Sequence, residues 1–164
     1  NVDGALFALE RGVQAAPKAH DLWIEYGELL AYKDNRPLAI KAASKALDDP
    51  LVRPRALNLI VSVAQNYFDE GMLADALKVL HVAKSYQKKK ESLAWLRAQI
   101  SVTTNQPLES VHWLKIVLRL DPLHQEALKL YQKLSGYEPI KRRPTKKMSA
   151  PSKSSKRKWW SRDA

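Results

Sequence analysis

The sequence predicts an all-α fold built from repeated antiparallel helix pairs, followed by a basic tail with no core of its own. Small residues recur at a near-constant interval through the first 137 positions. Five glycines among 164 residues are few for a β-rich or glycine-loop protein and suit a helical one. The charge is also segregated, because most of the net +11 belongs to the last 27 residues. An apolar content of 45% suffices for a real core, and 164 residues is the length of one domain.

The interval is visible at Ala5, Ala39, Ala76 and Ser110, spaced by 34, 37 and 34 positions. Seven residues after each stand Gly12, Ala46, Ala83 and Val117, and twelve before the last three stand Gly27, Ala64 and Ala98. Closely crossing helices need small side chains where they touch, since a bulky one holds the backbones apart. Such a period marks an array whose units bury their apolar faces against one another.

The elements follow in order, with helices over about 3–16, 21–33, 36–48, 54–69, 73–86, 91–104, 107–120 and 123–135. The first ends in GVQAAP and matches only the second helix of a unit, so the sequence reads as starting half-way through a repeat, with further repeats expected before Asn1. Asn35 or Arg36 ahead of Pro37 opens the third helix, and Thr104 or Asn105 ahead of Pro107 opens the seventh. Glu70-Gly71 closes the fourth, because glycine takes the left-handed conformation at no steric cost. The three extra residues of the 37-residue interval fall near Leu51–Arg55, in a loop between units. Asp121 is the expected N-cap of the last helix, with Pro122 at its first position. That helix, LHQEALKLYQKL, has Gln125, Glu126, Lys129, Gln132 and Lys133 on a polar side, as a terminal capping helix should. The organisation is thus a half repeat at 1–17, repeats at about 20–53, 54–88 and 91–122, a cap at 123–135, and a tail at 138–164.

This pattern resembles the tetratricopeptide repeat, whose unit reads W-x2-L-G-x2-Y, then A-x3-F, then P. The first full unit supplies Trp23, Tyr26, Gly27, Leu30, Ala39, Ala46 and Pro50. The second supplies Ile60, Val63, Ala64, Tyr67, Gly71, Leu73, Ala76, Leu80 and Ala83. The third is degenerate: it keeps Ala98, Ser110, Leu114, Val117 and Leu120-Asp121-Pro122, but has Arg97 in an apolar place and Ser101 in a tyrosine place. The resemblance implies a right-handed superhelical solenoid. Around Trp23 and Tyr26, followed by Glu28, the chain also resembles the half-a-TPR repeat of RNA-processing proteins, although IKAASKAL does not clearly meet that family's later Arg and Tyr positions.

In such a solenoid the first helix of each unit lines a concave face suited to an extended peptide or a partner helix. By repeat phase the groove-facing residues are Glu28 and Tyr32, then Asn58, Val61, Ser62, Gln65 and Asp69, then Trp95, Gln99 and Thr103. They are apolar, amide, hydroxyl and acidic, with no Lys or Arg. The two-carboxylate clamp of tetratricopeptide cochaperones needs basic residues and Asn there, so that ligand class does not fit. With Glu28 and Asp69 the groove should prefer a neutral or basic segment. Tyr32 and Trp95 have an alternative role as filling between units, while Trp23 and Trp113 read as packing residues.

Enzyme chemistry finds little support. Cysteine is absent, which removes disulfides, thiolate metal sites and a Cys nucleophile. His20, His81, His112 and His124 stand far apart, and no zincin, P-loop, dinucleotide or nucleophile-elbow motif occurs. Asp48-Asp49 reads as a solvated helix end. No catalytic, cofactor or metal residue is assigned, and no run of 18 apolar residues could span a bilayer.

In the tail, Lys141, Arg142, Arg143, Lys146, Lys147, Lys153, Lys156, Arg157, Lys158 and Arg162 face only Glu138 and Asp163, a net of +8 that leaves +3 for residues 1–137. Three prolines, five serines and few apolar residues predict a segment that is disordered when free. Such a cluster neutralises phosphates and releases counterions. Trp159 and Trp160 would then stack on single-stranded bases, at about 1–3 kcal/mol each. The same residues also suit an anionic bilayer surface, where each basic residue adds about 1 kcal/mol. KRRPTKK and KSSKRK resemble nuclear-import clusters, and a solubilising extension without a partner is the remaining alternative. Phosphates on Ser149, Ser152, Ser154 and Ser155 would cancel the charge. The expected function is a non-enzymatic scaffold that holds a protein partner in the groove and is tethered by the tail to an anionic partner. The alternatives are a ribonucleoprotein or RNA-processing subunit whose tail contacts RNA, and a membrane-associated assembly factor.

Overall fold

A computed structural model describes residues 1–137, whose regular elements are all helices, joined by short turns, with no strand among the described residues. The helices are α1 (Val2–Ala15), α2 (His20–Tyr32), α3 (Arg36–Ala46), α4 (Arg53–Asp69), α5 (Leu73–Val82), α6 (Glu91–Thr103), α7 (Pro107–Leu120) and α8 (Gln125–Leu134). Short 3₁₀ turns follow α5 at Lys84–Tyr86 and α8 at Ser135–Tyr137. The closest packing is α2 on α3, α4 on α5 and α6 on α7, and α2 also touches α4 as α4 touches α6.

The small positions sit where helices meet. Ala39, Ala46, Ala64, Ala76, Ala83, Ala98 and Val117 are fully enclosed, and Ser110 is buried with its hydroxyl donating to the Gln106 carbonyl. Gly27 is the tightest crossing, since a Cβ there would lie 3.2 Å from the Ala39 carbonyl oxygen and 3.1 Å from a Leu59 methyl. Ala5 departs from the pattern and is exposed on α1.

Two apolar clusters share α6. Ile24, Ile60, Val63 and Leu80 form the larger one, to which α6 contributes Leu93, Leu96 and Ile100. Trp113, Leu114, Ile116 and Val117 form the other, to which α6 contributes Ala94 and Ala98. A helix that buries two faces in this way is apolar on most of its circumference. Trp23 packs against the larger cluster and its indole donates to the Pro17 carbonyl, while Trp113 is buried in the smaller one.

The turns within successive helix pairs repeat a backbone motif. Asp34, Gly71 and Asn105 have φ of 58°, 77° and 55°, and occupy one register of the interval. In each case the next residue's N–H reaches a carbonyl five positions back: Asn35 to Leu30, Met72 to Tyr67 and Gln106 to Ser101. This is the Schellman closure, which needs one left-handed residue after the helix. Glycine, aspartate and asparagine are the types that tolerate it.

Several helix ends differ from expectation. Asp121 does not cap α8. It terminates α7, and its carboxylate accepts from the Leu123 N–H in a turn that includes Pro122. The N-cap of α8 is His124, whose Nδ1 accepts from the Ala127 N–H. The residue ahead of α7 is Gln106, so Thr104 and Asn105 belong to the preceding turn. α5 stops at Val82 rather than 86. The two unit-three departures also find partners: Arg97 lies 5.7 Å over the Trp113 ring and 3.0 Å from Glu109, and the Ser101 hydroxyl donates to the Ala98 carbonyl.

Candidate functional site

The expected groove residues lie on α2, α4 and α6, the three helices that touch in sequence across one layer. On α2, Glu28 and Tyr32 are exposed, and Tyr32 at 77% exposure fills no seam. On α4, Asn58, Ser62 and Asp69 are exposed while Gln65 is half-buried, and Val61 packs on the larger core cluster. On α6, Trp95 and Gln99 are half-buried and Thr103 is exposed.

The α6 set is gathered into a concavity. Trp95, Gln99 and Thr103 line a cavity of about 420 Å³ with Phe68 at the end of α4, Val102 on α6, and Glu126, Lys129 and Leu130 on α8. α8 forms one wall of this recess, and the residue that caps it, His124, meets α6: its ring lies tilted 4.5 Å from that of Trp95 and its Nε2 lies 3.3 Å from a Glu91 carboxylate oxygen. Gln99 lines this recess with other atoms, since its Oε1 is buried away from solvent and has no hydrogen-bond partner.

The acidic character expected of the groove is overturned at Glu28. Arg55, in the first turn of α4, donates Nη2 to Glu28 at 2.6 Å and Nε at 3.2 Å. The hydrogen bond to Glu28, opposed by burial, raises the pKa of Arg55. A cation therefore stands on this face after all. Asp69 accepts from Gln65 Nε2 at 2.7 Å, an i, i+4 bond that orients both groups along α4. The groove thus carries one neutralised acid–base pair and one unneutralised carboxylate.

Phase alone missed Phe68, Val102, Leu130 and Arg55. Val102 sits seven residues after Trp95, a helical spacing that could have placed it on the same face. Glu126 and Lys129 were assigned to the outer side of a capping helix, because nothing local shows how α8 turns against α6. The tail residues from Lys141 to Arg162, with Trp159 and Trp160, lie outside the described residues. Among the described residues, no group of three His, Asp or Glu is placed to hold a metal ion, and no helix is long and apolar enough to cross a membrane. Comparison with protein-family models and with curated proteins finds no match to this chain.

Proposed function

We propose that residues 1–137 are a right-handed superhelical solenoid of tetratricopeptide type that serves as a non-enzymatic scaffold. A segment of a protein partner lies along α2, α4 and α6 and is anchored in the recess closed by α8. The observation that carries this reading is that recess: an apolar-walled cavity of about 420 Å³ between α4, α6 and α8. Anchors of this kind take an aromatic or branched side chain. Asp69, exposed and next to Phe68 in the chain, favours a neutral or basic flank. The recurring turns at Asp34, Gly71 and Asn105 support the repeat architecture.

A second role rests on the tail. Its ten basic residues and the Trp159-Trp160 pair support a tether to an anionic partner, with single-stranded RNA ahead of an anionic membrane. That role makes the chain a component of a ribonucleoprotein assembly.

The groove is tested by selecting random displayed peptides on the full chain and re-measuring the binders with Thr103→Arg and Gln65→Lys. Selected peptides should carry an apolar anchor and lose affinity for both variants while helicity is unchanged. Binders indifferent to both substitutions reject the groove. The tail is tested with a 138–164 peptide against oligouridylate and anionic vesicles across a salt series. Binding to neither at moderate salt rejects the tether.

A further inference from the structure

We propose that a second recess, between α5, α6 and α7, binds a phosphoryl group carried on a side chain of a protein partner. It is lined by Leu77, His81, Lys84, Lys88, Arg97 and Trp113 and has a volume of about 360 Å³. It shares no lining residue with the groove, and it stands or falls independently of what the groove binds.

The fold concentrates positive charge here by ending α5 early. After Val82 the chain winds into the 3₁₀ turn Lys84–Tyr86 and a further turn, so that His81, Lys84 and Lys88 all line one recess. Gln87 fixes that turn: it is buried, and its Nε2 donates to the Leu80 carbonyl at 2.7 Å. Lys84 and Lys88 make no hydrogen bond or ion pair through their side chains among the described residues. Cations that line one recess without a counter-charge repel, and an anion between them relieves the repulsion.

Arg97 supplies the floor. Its Nη2 lies 3.0 Å from Glu109 and its guanidinium sits over the Trp113 ring, yet its Nε–H is buried with no acceptor. Glu109 also accepts from the Trp113 indole at 3.3 Å, so one carboxylate serves two donors. Glu109 is thus shared, and because Arg97 also lines the recess, an anion there would add a second counter-charge to the guanidinium. Guanidinium and ammonium groups together are the usual donors to a phosphoryl dianion.

The shape selects the source. A recess with its cations gathered at one point receives a phosphomonoester on a tether, whereas an RNA backbone needs a track of cations along its length. The cations that line this recess are Lys84, Lys88 and Arg97, with His81 beside them. Residues 1–137 carry only +3, and Asp75, Glu91 and Glu109 stand on the same three helices as the recess. Trp113 is 7% exposed and offers no open face for a base to stack on.

The test is an NMR titration of the full chain with N-acetyl-phosphoserine amide, with N-acetyl-serine amide and sodium chloride of equal ionic strength as controls. The Trp113 indole N–H and the amides of Lys84–Lys88 should shift saturably with the phosphorylated probe alone. In Lys84→Glu/Lys88→Glu, whose side chains are exposed and leave the core intact, affinity should fall by at least about tenfold, as charge-assisted contacts are lost. Shifts confined to Trp159 and Trp160 would mean that only the tail binds the anion, and the proposal fails. It fails equally if chloride reproduces the shifts, or if oligouridylate occupies the recess more tightly per phosphate than phosphoserine does.

Discussion

Arg36 at the start of α3 grips Glu70 at the end of α4, one repeat length away, through two parallel N–H···O bonds of 2.6 Å each. Its Nε donates at 2.7 Å to Asp34, and the guanidinium lies 5.0 Å over the Tyr67 ring. One side chain therefore joins two successive turns of the array, the Asp34 turn and the Glu70-Gly71 turn. The planar fork of arginine is what allows it, since a lysine could not meet a carboxylate in two parallel bonds.

The pair predicts an acid sensitivity with a definite sign. Hydrogen bonding from Arg36, opposed by burial and reinforced by its charge, holds Glu70 below the ordinary carboxyl value of 4.5. A depressed carboxylate stabilises the folded state fully above its unfolded pKa, and that contribution is lost as pH falls through the folded value. Thermal melts should therefore show Glu70→Gln less stable than the parent at pH 6, with a smaller gap at pH 3. A gap of equal size at both pH values would show that the ion pair is not its source.

Gly27 predicts intolerance of volume. The Ala39 carbonyl oxygen, the Leu59 methyl and Ala42 Cβ all lie within 3.2 Å of where a Cβ would stand. Gly27→Val should cost about 1–3 kcal/mol through overpacking, exceeding the few tenths gained in helix propensity. Urea denaturation measures it, and a neutral result would mean that α2 and α3 separate without penalty.

Gly4 and Gly71 predict opposite responses to one change. Neither has an atom within 4 Å of a built Cβ, so space does not distinguish them. Gly4 is helical in α1, and Gly4→Ala should stabilise by up to about 1 kcal/mol. Gly71 has φ of 77°, and Gly71→Ala should destabilise by about 1–2 kcal/mol. Denaturation midpoints for the two variants should move in opposite directions.

The repeat architecture we propose predicts local spread of damage. Leu114 is fully buried in the cluster of α6, α7 and α8, and Leu114→Ala should cost about 2–5 kcal/mol. In a quasi-one-dimensional array, that loss raises hydrogen exchange in α7 and α8 well above that in α2 and α3. Uniform acceleration along the chain would point instead to one indivisible core.

Much of the helical layout was legible because its signals are local. Apolar period, proline and small-residue spacing depend only on neighbours along the chain, and they placed the helices to within a few residues at most ends. Two left-handed turn residues, Asp34 and Asn105, were also readable in principle, being among the few types that accept positive φ. Arg97 was legible only as an anomaly, because the ring and carboxylate that receive it lie on α7. His124 resembled any isolated histidine until α8 swung it onto Trp95 and Glu91.

The sequence by itself determined that this protein is an array of helices with small residues at their crossings and a tail that holds most of its charge. Tertiary structure alone decided which side chains share a site. Arg55 met Glu28 across α2 and α4, α8 folded over Trp95 to close a recess, and an early end to α5 gathered Lys84 and Lys88 beside Arg97. The physical reason is one of range. Periodicity records which face of a helix is apolar, whereas the angle at which two helices meet is set by packing among residues distant in sequence.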